Sequence, residues 1–165
     1  MADKLLYVLA QFDSKSQAKL REIQNELVKR GMIGKQAAHL PYHLTLGSFD
    51  PDQQSEISER IEKVCSRTSP IKLTLSHISL FGLGVLFLAP NITHELLNFQ
   101  SDFIKGSRND YEWTAHATLL IDNPDAIQKA LPIVAAYFKP FCVKIDSICL
   151  YEFWPARCIK NHYLE

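Results

Sequence analysis

A strand-forming segment that occurs twice constrains this chain more than any other feature. Pro41-Tyr42-His43-Leu44-Thr45-Leu46-Gly47 is echoed seventy-three residues later by Thr114-Ala115-His116-Ala117-Thr118-Leu119. On an extended strand successive side chains alternate faces, so His43 and Thr45 project together while Leu44 and Leu46 project the other way, into a core. His116 and Thr118 stand in the same relation to Ala117 and Leu119. With six histidines and six threonines in 165 residues, chance supplies roughly 0.2 His-x-Thr triplets. One triplet alone is therefore weak evidence, and two in equivalent contexts carry much more.

The surroundings repeat as well. Asp50-Pro51-Asp52 corresponds to Asn123-Pro124-Asp125 at the same offset. After a three-residue deletion, Leu73-x-Leu75-x-x-Ile78-x-Leu80-Phe81 corresponds to Val143-x-Ile145-x-x-Ile148-x-Leu150-Tyr151, and Leu6-Tyr7-Val8-Leu9-Ala10 matches Leu86-Phe87-Leu88-Ala89. This pattern reads as a β-α-β-α-β unit present twice, about 4–81 and 85–151, within a single domain covering 1–165. Two such units related by a pseudo-two-fold bring both motif strands to one cleft. The expected fold is α+β: two lobes of mainly antiparallel sheet, helices outside, and a central cleft.

In chain order, Leu5 to Phe12 reads as a buried strand. Ser14 with Gln17 has the form of a capping box opening a helix that carries Leu20, Ile23 and Leu27 and closes at Gly31. The first motif strand is expected from His39 to Phe49, followed by a helix capped by Asp50, with Pro51 first and Ile57, Ile61 and Val64 on one face. Ile71 to Phe81 and Val85 to Ala89 read as a hairpin about Gly82-Leu83-Gly84. A third helix starts at Asn91 or Thr93 and carries Leu96, Leu97, Phe103 and Ile104, and Gly106 to Asp110 is a loop. The second motif strand is expected from Glu112 to Ile121. Asn123-Pro124 opens a fourth helix bearing Ile127, Leu131, Val134 and Phe138, which Pro132 should distort. Phe141 to Phe153 and Arg157 to Tyr163 read as strands on either side of Trp154-Pro155.

Hydrophobic residues make up 47% of the chain, and eighteen basic residues balance eighteen acidic ones. The first figure supports a self-sufficient core. The second removes the positive field that long duplex nucleic acid requires, so any nucleic-acid partner is short. Cys65, Cys142, Cys149 and Cys158 form no C-x-x-C pair and read as free buried thiols. The apolar run from Leu5 to Ala10 is too short for a membrane span and has no basic leader, so the chain reads as cytoplasmic, and as a monomer. The sequon at Asn91 reads better as a helix start.

With both motifs on predicted strands, the chain resembles the 2H phosphoesterase superfamily, specifically its bacterial 2′,5′ RNA ligase or cyclic phosphodiesterase-like branch. His43-Leu44-Thr45-Leu46 and His116-Ala117-Thr118-Leu119 carry the resemblance, which covers essentially the whole chain. It implies hydrolysis of a nucleotide or RNA-end phosphodiester, commonly a 2′,3′-cyclic phosphate, without metal or other cofactor. The residue types suit that chemistry: in-line attack needs a base for water and an acid for the departing oxygen, and histidine titrates in the right range. Thr45 and Thr118 are placed to donate to the non-bridging oxygens. By analogy with the family, His116 activates water and His43 protonates the leaving oxygen. The closing strand Ile148-Cys149-Leu150-Tyr151-Glu152 resembles the family's, with Arg157 as the candidate phosphate-binding arginine.

Phe12, Phe81, Tyr151 and Trp154 fall at predicted strand ends, where a cleft rim would expose them to stack on a base or ribose. Trp113 has the opposite parity to His116 and belongs to the core or the outer surface. His39 lacks ligating neighbours, so no metal site is expected. His77, His94 and His162 read as surface or satisfied polar residues, although His77 shares strand parity with Leu75 and could look into the cleft, and Lys72, Lys144 and Lys160 are solvated charges. Two other readings remain open. One is a nucleotide- or RNA-binding module without turnover. The other is ligation, which ranks lower because the sequence has no nucleotide-activating P-loop.

Overall fold

The computed structural model describes residues 4–108 and 112–165. Among the described residues seven strands and four helices follow in the order β1 (Leu5–Phe12), α1 (Ser14–Val28), β2 (His43–Phe49), α2 (Gln54–Cys65), β3 (Ile71–Phe81), β4 (Val85–Pro90), α3 (His94–Ser101), β5 (Ala117–Ile121), α4 (Pro124–Tyr137), β6 (Phe141–Phe153) and β7 (Arg157–Tyr163). The fold is α+β. Every strand pairing is antiparallel, in the order β2-β1-β6-β3-β4-β5, with β7 also on β6. Among the described residues no helix is long and apolar enough to cross a membrane.

The sheet is organised about the β3–β6 pairing, where Leu73 lies opposite Val143, Ile71 opposite Ile145 and Leu75 opposite Phe141. On either side of that pairing the ladders are alike. Leu9 pairs with Thr45 and Ala10 with Leu44, just as Phe87 pairs with Thr118 and Leu88 with Ala117. This matches β1 to β4 two residues away from the alignment that the apolar pattern suggests. An even shift leaves every side chain on its face, so the apolar pattern alone cannot detect it.

All four helices pack on one face of the sheet. Leu20, Ile23 and Leu27 of α1, Ile57, Ile61 and Val64 of α2, Leu96 and Phe99 of α3, and Ile127 and Val134 of α4 join Leu44, Leu46 and Leu119 in one buried cluster. Each fully buried aliphatic side chain of this kind contributes about 1.5–3 kcal/mol. The opposite face carries the motif side chains. Gly47 follows from this packing: a Cβ there would stand 2.8 Å from the Phe103 carbonyl oxygen and 3.0 Å from Ser107 Oγ. The chain leaving α3 thus runs directly over the first motif strand.

Several expected element ends move. Asp13, not Ser14, caps α1, accepting from Ser16 N at 2.9 Å, while Gln17 turns away to donate to the Phe12 and Tyr42 carbonyls. Gly31 does close the helix: at φ +77° it lets Gly31 N reach Val28 O and Met32 N reach Leu27 O, the Schellman arrangement. The first motif strand begins at His43 rather than His39, which has φ +64°. The second begins at Ala117 rather than Glu112. Thr93, not Asn91, caps α3, which ends at Ser101, before Phe103. The fourth helix, α4, runs from Pro124 to Tyr137 with Pro132 inside it. Of the expected loop, positions 109–110 lie outside the described residues. Cys149 and Cys158 are joined as a disulfide across β6 and β7, which corrects the reading of four free buried thiols. Adjacent antiparallel strands brought together two cysteines that are nine residues apart in sequence. Cys65 is free and buried, Cys142 free and exposed.

Candidate active site on the open face of the sheet

His43 and Thr45 are half-buried between the buried Leu44 and Leu46, and His116 and Thr118 between Ala115, Ala117 and Leu119. The alternation expected of the motifs is therefore present. Although β2 and β5 are the two ends of the strand order, the sheet curls until they approach each other, and Trp113 Nε1 donates to the Thr45 carbonyl at 2.8 Å. Trp113, expected in the core or on the outer surface, thus pins one motif strand to the approach of the other. A second clamp comes from α1. Gln24 Nε2 donates to the Leu119 carbonyl at 2.8 Å, and its Oε1 accepts from the Tyr42 hydroxyl, beside His43. One glutamine side chain therefore fixes the relation of the two motifs.

The two imidazoles are held in the same way. His43 Nδ1 lies 2.7 Å from the Pro41 carbonyl oxygen, and His116 Nδ1 lies 2.7 Å from that of Thr114. A carbonyl only accepts, so both Nδ1 atoms carry a proton and donate it. That sets the tautomer and leaves each Nε2 as the atom offered to a substrate. Neither Nε2, and neither threonine hydroxyl, has a hydrogen-bond partner among the described residues. Burial pushes the His43 pKa down to about 4, offset in part by its bond to Pro41 and reinforced by repulsion from a charge on His116. Burial also lowers His116, against the opposing effect of the Thr114 carbonyl. The source of that burial is visible at His116, whose ring is met edge-on by Phe81 at 4.8 Å and Phe87 at 5.5 Å.

Two of the five expected substrate-contacting residues lie on this face. Phe81, about a third exposed, stands against His116, and Tyr151 is half-buried, with the Gln11 side chain at its hydroxyl. The other three are corrected. Phe12 is 3% exposed and belongs to the core, because it points toward the helices. Trp154 is 60% exposed and packs on Phe153. It stands roughly 16 Å along β6 from the Thr45–Leu9–Cys149 row, given a rise of about 3.3 Å per residue. Arg157 pairs with Glu152 at 3.2 Å, on the face opposite Tyr151. Lys144 pairs with Asp13 and Lys160 with Glu62, and among the described residues no cluster of three His, Cys, Asp or Glu is placed to hold a metal.

The strand register also supplies residues that motif reading missed. Gln11 lies directly opposite His43 on one side and Ser147 on the other. Ser147 Oγ donates to Gln11 Oε1 at 3.4 Å. Leu9, Phe87 and Cys149, all buried yet outside the helix-side core, form the apolar floor beneath these groups. The one signal in the sequence was a polar Gln11 ending the apolar run of β1.

The profile of the 2′-5′ RNA ligase superfamily matches residues 12–153. No curated protein sequence matches the chain. Among solved structures, E. coli LigT complexed with 3′-AMP is similar at 16% identity and a TM-score of 0.68, with 98% of each chain covered. A crystal structure described as a phosphoesterase is similar at 16% identity and a TM-score of 0.64, again over 98% of each chain. The TT0787 protein of Thermus thermophilus is similar at 12% identity and a TM-score of 0.62, over 97% of each chain.

Proposed function

The chain belongs to the 2′-5′ RNA ligase superfamily, and on that premise we propose that it is a metal-independent phosphodiesterase opening a 2′,3′-cyclic phosphate or cleaving a 2′,5′ linkage on a small nucleotide or a short RNA end. The observation that carries this reading is the matched pair of imidazoles. Each is locked through Nδ1 to a backbone carbonyl and offers Nε2 to the same face beside an unpartnered threonine hydroxyl.

In the reaction, one Nε2 takes a proton from water as the water oxygen bonds to phosphorus. The ester P–O bond breaks in line, and the other Nε2–H gives its proton to the departing ribose oxygen. Thr45 and Thr118 donate to the non-bridging oxygens, where charge accumulates. The two histidines are not equivalent in the free protein. His43 is driven down to about 4, and a charge on His116 is one cause of that shift, so a proton shared between them resides on His116. This favours His43 as base and His116 as acid, the reverse of the assignment made by family analogy. The substrate's negative charge sustains the protonated partner. Phe81 beside His116 gives a base or ribose a surface to stack on. LigT was crystallised with 3′-AMP, the type of product that opening a 2′,3′-cyclic phosphate leaves.

Incubation with 2′,3′-cyclic mononucleotides and 2′,5′-oligoadenylate in excess EDTA tests the reading. Turnover that disappears in His43→Ala and in His116→Ala supports it. Binding of these nucleotides without turnover would replace it with a binding module. The roles separate on a nucleoside phosphodiester with a p-nitrophenolate leaving group, which needs no acid: His116→Ala should retain activity there, and His43→Ala should not.

A further inference from the structure

The two motif histidines sit at the ends of corresponding three-residue rows whose contents differ. In the first, Ser147, Gln11 and His43 lie side by side on β6, β1 and β2. In the second, His77 of β3 lies opposite Ala89 of β4. The β4–β5 ladder ends at the pair Leu88–Ala117, and the next residues on the two strands are Ala89 and His116. The second row is thus His77, Ala89, His116. Where the first row has a long carboxamide in its middle, the second has a methyl group and leaves a gap. Strand spacing puts the His77 and His116 backbones about 10 Å apart across that gap.

His77 reaches this face through a bulge. The β3–β4 register shifts between Leu75, which is buried in the core, and His77, which is exposed. The expected parity with Leu75 would have turned the side chain into the core rather than the cleft, and it is the extra residue, Ser76, that re-aims it. The register shift on β6 at Ile145 and Ser147 stands at the corresponding place in the other row. The ring is also oriented. Ser76 Oγ donates its proton to Asn91 Oδ1 at 2.5 Å, so at 3.0 Å from His77 Nδ1 it acts as the acceptor. His77 therefore carries its proton on Nδ1 and offers Nε2, the same tautomer as His43 and His116. Nothing among the described residues occupies that Nε2.

We propose that His77 holds a second phosphate of the substrate in the gap over Ala89, which makes the preferred substrate a nucleotide bearing a phosphate next to the scissile one, as an RNA end does, rather than a bare mononucleotide. The proposal rests on the phosphodiesterase reading of the His43–His116 pair. A phosphate oxygen above Ala89 meets Nε2 of His77, and an imidazolium N–H to phosphate is a charge-assisted hydrogen bond. His77 is exposed and packs nothing into the core, so its replacement leaves the fold and the scissile site intact.

The test compares adenosine 2′,3′-cyclic phosphate with the same molecule carrying a 5′-phosphate. Wild type should prefer the phosphorylated form by about tenfold in kcat/KM, chiefly through KM, the size of one charge-assisted hydrogen bond. His77→Ala should abolish that preference and leave the unphosphorylated substrate unchanged, and His77→Lys should retain it. Equal kcat/KM for the two substrates in wild type, or a preference that survives His77→Ala, overturns the proposal. If neither substrate is turned over, the phosphodiesterase reading fails by itself. Calorimetry with adenosine 3′,5′-bisphosphate against 3′-AMP then decides the second site: tighter bisphosphate binding lost in His77→Ala supports it, and equal binding overturns it.

Discussion

Acid should destabilise this protein through one identifiable side chain. His43 has its pKa pushed from 6.5 in the unfolded chain down to about 4 by burial. The folded state therefore prefers the neutral ring. Above pH 6.5 the ring is neutral in both states and costs nothing. As pH falls below 6.5 the unfolded chain takes up a proton that the folded chain refuses, so stability is lost, and the loss is complete once pH has passed below about 4. For this shift the loss is about 2 kcal/mol at pH 5 and about 3.4 kcal/mol below pH 4. The ring is half-buried rather than sealed, so these are upper figures. Urea denaturation of wild type and His43→Gln from pH 7.5 to 4.5 measures the effect, because every other titrating group contributes similarly to both proteins. The stability difference between them should shift in favour of the variant by roughly 1–2 kcal/mol between pH 7 and pH 5. Inorganic phosphate, by favouring the charged ring, should reduce that shift. Parallel pH dependences would refute the reasoning, since they would mean His43 titrates alike in folded and unfolded chains.

Other measurements reach the remaining parts of the site. The pH profile of kcat/KM should be a bell with its maximum on the acid side of 6.5. Its ascending limb reports His43 near 4 and its descending limb the lowered His116; a maximum above pH 7 contradicts the lowered pair. Thr45→Val and Thr118→Val should each reduce kcat by about 10²-fold with little change in KM or melting temperature, whereas a pure KM effect would place the hydroxyls on the ground-state substrate alone. Gln24→Leu, which leaves the Leu119 carbonyl and the Tyr42 hydroxyl unpaired, should cost roughly 2–4 kcal/mol in denaturation and lower kcat as the motif strands loosen. An unchanged midpoint would deny Gln24 its clamping role.

The central residues were legible because strand alternation is a local property. His-x-Thr-Leu puts a histidine and a threonine on one face and leucine on the other wherever the segment is extended, and His43, Thr45, His116 and Thr118 stand as that rule requires. Helix stripes obey an equally local periodicity, which is why Leu20, Ile23 and Leu27 or Ile57, Ile61 and Val64 are found in the core as expected. Element ends were read less well, since competing polar partners decide them: Asp13 displaced Ser14 as a cap, and Gln17 was drawn off by the Phe12 and Tyr42 carbonyls.

What the amino-acid order determined by itself was the pair of motifs, their faces and the α+β class. Only the tertiary structure decided what surrounds them, because neighbours across a sheet are set by register between strands far apart in sequence. That register placed Gln11 and Ser147 beside His43, joined Cys149 to Cys158, and carried Arg157 to Glu152 on the other face. It also shifted at Ser76, and that one extra residue turned His77 from the parity of the core to the face of His116.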